Sequence, residues 1–131
     1  MILAISRRLI VSLTIHDLRF ADCYFVSIDM RSNLEGFKLS FEAYIHNSPD
    51  KAIVSLNING IRQLSIKAGA GFWRDLHISY DYRGSDQRSN EVYSLHSDIS
   101  QGATYIEFES DMLNIEARCD TCEIEATYLN D

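Results

Sequence analysis

The segment EARCDTCEIEA, residues 116–126, contains two cysteines separated by two residues, Cys119 and Cys122. This spacing occurs in zinc knuckles and in thiol redox motifs. A structural zinc ion needs four ligands, so Cys23 and a histidine would have to complete the site from distant parts of the chain: His16, His46, His77 or His96. A thioredoxin-like site needs a βαβ context, which this sequence lacks.

A turn explains the same spacing. If Asp120 and Thr121 form a two-residue turn, Cys119 faces Cys122 across a hairpin whose one side is apolar throughout. The other side pairs Glu116 with Glu125, and these like charges would favour a cation or a partner's basic side chain. Because a β-branched residue resists positive φ, a bend within one long strand is the alternative.

We therefore predict no cofactor and no metal site. A small-molecule or metal-binding β-barrel that uses Cys119, Cys122 and a histidine is the alternative hypothesis. Loss of stoichiometric zinc on Cys122→Ala would distinguish the two.

A second set of reactive residue types is His77, Ser79 and Asp81, at alternate positions of HISYD. Alternate residues of a strand lie ~6.6–7 Å apart, farther than the ~2.6–3.2 Å that a nucleophile and its base require. The chain contains no GxSxG, HExxH, P-loop or dinucleotide-binding signature. We therefore predict that the protein is not an enzyme and has no catalytic residues.

Negative charge is concentrated at the C-terminal end. The net charge is -7, and residues 1–106 are neutral, with eleven basic and eleven acidic residues. From residue 107 onward there are eight acidic residues and only Arg118 to oppose them. Such a field repels nucleic acid and anionic membranes and attracts a basic partner, whereas the simpler alternative is a face that aids solubility.

The elements that position these residues are strands, because apolar and polar residues alternate along most of the chain. The cleanest alternation runs from Phe37 to Ile45, and the loop around Pro49 ends it. Turn signals every eight to twelve residues predict about eight strands in an antiparallel β-sandwich or open barrel. The segment up to Leu18 has mixed periodicity and predicts a strand or a short N-terminal helix.

The segment from Val54 to Ala68 contains Asn59-Gly60, a strong hairpin signal. A two-residue turn there would place Leu64 and Ile66 on the solvent face. A five-residue loop over residues 59–63 keeps them buried and pairs Ile58 with Leu64. A bulge and bend at Gly60 is the alternative.

Length and composition favour one β domain, residues 1–131, without linkers or repeats. Three cysteines, an odd number, favour a reducing compartment over a secreted disulfide framework. The start, MILAISRRLIVSL, is interrupted by two arginines, which disfavours a signal peptide, and no apolar run approaches the ~18 residues of a membrane span. We therefore expect a cytoplasmic protein.

Four segments carry a resemblance: IHDLRFADCYFVSIDM, GFKLSFEAYIH, VSLNINGIRQLSI and YIEFESDMLNIEARC. In this order, over about residues 15–127, the chain resembles small bacterial all-β proteins, some of which are similar to immunity proteins of polymorphic toxin systems. The extra N-terminal segment and the CxxC depart from that pattern. The resemblance implies a protein that binds and neutralises a toxin, and it transfers no individual binding residue.

The candidate binding residues follow from the negative charge that is concentrated at the C-terminal end. We predict that an acidic C-terminal surface binds a basic protein, with an exposed aromatic residue as an anchor. The candidates are Glu107, Glu109, Glu116, Glu123, Glu125 and Trp73. Pairing of identical copies through an exposed sheet edge is a further alternative.

Overall fold

The computed structural model describes residues 14–30, 35–46, 48–68, 79–81, 91–111 and 113–128. Over these residues the chain is all-β, as predicted. One 3₁₀ turn, Ile15–Asp17, precedes eight strands. The strands are β1 (Leu18–Arg19), β2 (Phe25–Met30), β3 (Gly36–Ile45), β4 (Lys51–Ala68), β5 (Ser79–Asp81), β6 (Val92–Ser100), β7 (Ala103–Ser110) and β8 (Leu113–Tyr128).

The strands form a single antiparallel sheet that curls into a half-barrel. The order across the sheet is β5-β2-β3-β4-β8-β7-β6, and β1 pairs with β3 beside this path. The open-barrel alternative, not two packed sheets, therefore describes the fold. Strand β8, the last of the described strands in sequence order, lies inside the sheet between β4 and β7.

The curl is visible in the aromatic core. Phe41 on β3 and Phe108 on β7 belong to strands separated by two others, yet their ring centroids are 5.3 Å apart. In a flat sheet, strands spaced ~4.8 Å apart would hold them ~14 Å apart. The chain just before β2 also meets the start of β6, since the Val92 N–H donates to the Cys23 carbonyl at 2.7 Å. The sheet thus nearly closes at one end.

Alternation divides each strand between this core and the outside. On β3 and the first half of β4, the inward residues are almost fully buried, as Leu39 and Leu56 illustrate. Burying one such side chain stabilises the fold by roughly 1.5–3 kcal/mol. The predicted strand from Phe37 to Ile45 and the loop around Pro49 that ends it are confirmed. The structure adds that β3 pairs with β4 across this loop, with Phe37 opposite Ile58 and Ala43 opposite Ala52.

Two predicted hairpins are wrong, because β4 and β8 are each continuous. Strand β4 runs through residues 59–63, so Ile58 pairs with Cys122 and Leu64 with Ala117 instead of with each other. Strand β8 likewise runs through Asp120 and Thr121 without turning back. Over these two long strands the backbone groups pair from Ala52↔Tyr128 to Ala68↔Leu113, so each strand satisfies N–H and C=O groups of the other along its whole length.

Both long strands instead bend where Gly60 lies beside Asp120. Gly60 has φ +70, a conformation that side chains oppose, and the pairing register shifts between Ile61 and Gln63. The bulge and bend at Gly60, given above as the alternative, is therefore the correct description. The carbonyl of Glu35 accepts hydrogen bonds from the N–H groups of Gly60 (2.8 Å) and Ile61 (3.2 Å), which ties the bend to the start of β3.

The N-terminal helix prediction is met only by the short turn Ile15–Asp17, and residues 1–13 lie outside the described residues. The Thr14 N–H donates to the Asp17 carboxylate at 2.8 Å, and this bond is the main reason that the Asp17 pKa is lowered. Asp17 also lies 3.1 Å from His46 at the end of β3. These contacts fix the turn to the sheet.

Among the described residues, no helix has the length and apolar character that crossing a membrane requires.

Candidate functional site: an acidic outer face

The five candidate glutamates all point away from the core. Glu107 and Glu109 lie on β7, and Glu116, Glu123 and Glu125 lie on β8, each at a position that alternates with buried or half-buried inward residues. We call these five residues the acidic outer face. Trp73, the sixth candidate, lies outside the described residues.

The face has two parts separated along β8. Glu116 and Glu125 are nine positions apart on one continuous strand, which corresponds to ~30 Å at ~3.3 Å per residue. They therefore do not form the cross-strand pair that the hairpin interpretation predicted. The first group is Glu107, Glu109 and Glu116, and the second group is Glu123 and Glu125.

In the first group, Glu107 and Glu116 are direct cross-strand partners. Their Cβ atoms are therefore ~4.5–5.5 Å apart, where like charges repel by roughly 0.2–1 kcal/mol. Glu107 accepts a hydrogen bond from the Tyr105 hydroxyl at 3.3 Å, and Glu109 accepts one from the Ser94 hydroxyl at 2.9 Å. Glu116 makes no hydrogen bond or ion pair with any described residue. The fold thus holds two adjacent carboxylates with little internal compensation.

A shallow groove of about 440 Å³ adjoins this group on the outer face. Its lining includes Tyr105, Glu116 and Arg118, together with Gln63 and Ser65 of β4. The Tyr105 pKa is raised, mainly by partial desolvation and next by the negative charges of Glu107 and Glu116. The positive charge of Arg118 acts in the opposite direction. The groove can therefore receive a cationic side chain at Glu116 and a hydrogen-bond partner at the Tyr105 hydroxyl.

The second group lies beside the first half of β4. The Asn57 amide donates to Glu125 at 2.6 Å, and Glu123 is the register partner of Asn57. Both glutamates are exposed, and neither forms an ion pair with a described residue.

Between the two groups one acidic residue is neutralised. The Arg62 guanidinium contacts one carboxylate oxygen of Asp120 through both Nε and Nη2, each at 2.7 Å. The bulge on β4 places Arg62 there. Asp120 therefore adds little to the field of the acidic outer face, which leaves the two groups as separate negative regions.

The two cysteines of the CxxC segment lie on the inner side of the sheet. Cys119 is fully buried, and its thiol contacts the Thr104 carbonyl at 3.6 Å. Cys122 is half-buried, and burial, with the nearby Cys119, raises its pKa to about 12. In the described part of the chain no three His, Cys, Asp or Glu residues are grouped so that they could hold a metal ion.

This environment predicts an unreactive thiol at Cys122. With a pKa of about 12, only about one part in 10,000 is thiolate near pH 8, and the thiolate is the nucleophile. Alkylation by iodoacetamide should therefore be slow at neutral pH and should accelerate about tenfold per pH unit without levelling off near pH 9. A Cys122→Ser variant assigns the modified residue in mass spectra, and a plateau near pH 9 would contradict the burial.

Cys122 also borders a groove of about 540 Å³ on the inner side, which we call the inner groove. Strand β8 contributes Cys122 and Ile124 to its lining. The β6–β7 hairpin contributes Ile99 and Thr104, and the 3₁₀ turn contributes Ile15 and His16. Ile99 is 76% exposed, so one wall of the groove is an open apolar surface. Sequence reasoning brought none of these residues together, apart from naming His16 as one of four histidines for a site at Cys122.

The set His77, Ser79 and Asp81 is placed only in part by the structure. His77 lies outside the described residues, and Ser79 and Asp81 are the first and last residues of β5, for which only the backbone is described. The functional candidate that sequence reasoning missed is Tyr105, which the β7–β8 register places opposite Arg118 and near Glu116. Arg118 follows Glu116 by two residues on β8 and therefore shares its face.

No known protein-family model matches this chain, and no curated protein sequence matches it either.

Proposed function

We propose that the chain is a non-enzymatic protein-binding module that captures a basic protein partner through the acidic outer face. The observation that carries this proposal is the set of five outward carboxylates, none of which forms an ion pair with a described residue. Uncompensated charges on one surface raise the association rate of an oppositely charged partner and select against acidic ones.

A protein evolved only for stability would gain by separating Glu107 from Glu116. The cross-strand pair of like charges has a stability cost, and Arg62 shows that the fold can neutralise an acidic residue where a basic one is placed nearby. A partner's lysine or arginine at this pair would remove the repulsion on binding. The first group is therefore the part of the face that we assign to direct contact.

The partner class that we propose is a bacterial toxin domain. The support is the resemblance of the strand pattern to immunity proteins, together with the acidic charge that suits a basic toxin. The described cysteines are all free, which suits a reducing compartment, so we place this action in the cytoplasm.

Charge reversal tests the proposal. A partner is first captured from the source cells on the immobilised protein and then purified. Its rate of association with this protein is measured at a series of salt concentrations. For Glu107→Lys/Glu116→Lys we expect an association rate at least about tenfold lower at low salt, with a flatter salt dependence. The matched control, Asp29→Lys/Asp50→Lys, changes the net charge equally at acidic residues outside the face and should change the rate little.

Two results would contradict the proposal. One is an association rate and salt dependence that the first variant leaves unchanged. The other is an equal loss with the control variant, since that would assign the effect to net charge alone. The toxin assignment has its own readout, because co-expression of this protein should relieve growth inhibition by the captured partner.

A further inference from the structure

We propose that an extended basic segment of the partner adds as a strand to the free side of β8, over residues 121–128. This inference rests on the proposed function and adds a second contact, at Glu123 and Glu125, to the contact assigned to the first group. Among the described residues, β7 pairs with β8 only up to Thr104↔Cys119, so the later part of β8 has a partner strand on its β4 side alone. Exposed backbone N–H and C=O groups on such a strand are a template for an incoming strand.

The side chains along this part of β8 specify the alternation of the segment. Glu123 and Glu125 point to the outer face, and Cys122 and Ile124 point inward and line the inner groove. An added strand places its own residues beside these in the same alternation. The segment that fits therefore alternates basic residues, next to the glutamates, with apolar residues that enter the inner groove.

The other long strand with an open side in the described sheet lacks this combination. The second half of β4, from Ile61 to Ala68, presents Gln63, Ser65 and Lys67 on its outer side and carries no carboxylate. A second copy of the chain is also disfavoured as the occupant. Antiparallel pairing of two β8 strands about Ile124 would set Glu123 of one copy opposite Glu125 of the other, which repels.

Hydrogen exchange with synthetic peptides tests the inference on the full chain. The probe is a short peptide of alternating lysine and valine, and the control peptide has the same composition with its lysines and valines in separate halves. We expect the alternating peptide to slow exchange of backbone amides within residues 121–128 by about tenfold, while the control peptide does not. Glu123→Lys/Glu125→Lys should abolish this protection, and Glu107→Lys/Glu116→Lys should preserve most of it.

The outcomes separate this inference from the proposed function. Equal effects of the two peptides, or protection elsewhere than residues 121–128, would overturn strand addition while leaving partner capture by the acidic outer face standing. Complete protection of these amides in the free protein would also overturn it, because the free side of β8 would then already be occupied. Failure of the charge-reversal test with the natural partner would instead remove the proposed function itself.

Discussion

Replacement of Phe41 by alanine is expected to lower the free energy of unfolding by about 3–5 kcal/mol, the largest effect of any single substitution considered for this fold. Phe41 is fully buried, and its ring lies 5.9 Å from that of Phe20 and 5.3 Å from that of Phe108. It therefore joins β3 to β7 across the interior of the half-barrel. Removing the ring takes away both its burial and the contact that holds the curl.

Chemical denaturation followed by circular dichroism measures this change. The matched control is Ile99→Ala, which truncates another large apolar side chain but one that is 76% exposed, so a change within about 0.5 kcal/mol is expected. Because small domains are stable by only about 5–15 kcal/mol, Phe41→Ala should leave a marginal fold. A loss below about 1 kcal/mol would show that Phe41 does not bridge the sheet as described.

Replacement of Gly60 by alanine is expected to cost about 2–5 kcal/mol, for two separate reasons. The residue has φ +70, where a Cβ atom is strained, and a Cβ atom built there would overlap with the Asp120 side chain. Asp120 would have to move and would lose its ion pair with Arg62. The bend shared by β4 and β8 should therefore be disturbed together with the stability of the sheet.

Gly102→Ala is the control that separates the two causes. Gly102 also has positive φ, +76, but a Cβ atom there meets no neighbour within 4 Å. Gly102→Ala should therefore cost only the backbone strain, about 1–2 kcal/mol, and the remaining difference measures the overlap at Asp120. Thermal denaturation of both variants gives the comparison, and equal losses would show that the close approach of Gly60 to Asp120 does not constrain the bend.

Alternation of side chains was enough to predict which residues face the core, but not how far each strand extends. The strand from Phe37 to Ile45 and the loop around Pro49 follow directly from the pattern, and β3 confirms them. Strands usually span 3–10 residues, whereas β4 has 18. Local sequence signals therefore predict two shorter strands where the structure has one. Asn59-Gly60 resembles a type I′ turn, yet of these two only Gly60 has the positive φ that such a turn requires at both positions.

The CxxC segment shows the same limit. Asp120 and Thr121 were the expected turn, but neither has positive φ, and both continue β8. The outward direction of each glutamate was predictable from the apolar residues beside it, because side chains alternate locally. Glu116 and Glu125 share the outer side of the continuous β8 only because the alternation shifts at Asp120 and Thr121, which are both exposed. The contact between Glu107 and Glu116 was not predictable, because it depends on the tight β7–β8 connection, in which the Ser110 hydroxyl donates to the Leu113 carbonyl at 2.7 Å.

The interior position of β8 has a consequence for synthesis of the protein. The ribosome must pass residue 128 before β4 can acquire its full-length neighbour, since the pairing extends from Ala52↔Tyr128 to Ala68↔Leu113. Until then a nascent chain carries β4 with the backbone groups that face β8 unsatisfied, which exposes it to aggregation. Contacts so distant along the chain also slow folding. We expect newly made chains to depend on chaperones that cover β4 until β8 emerges from the exit tunnel.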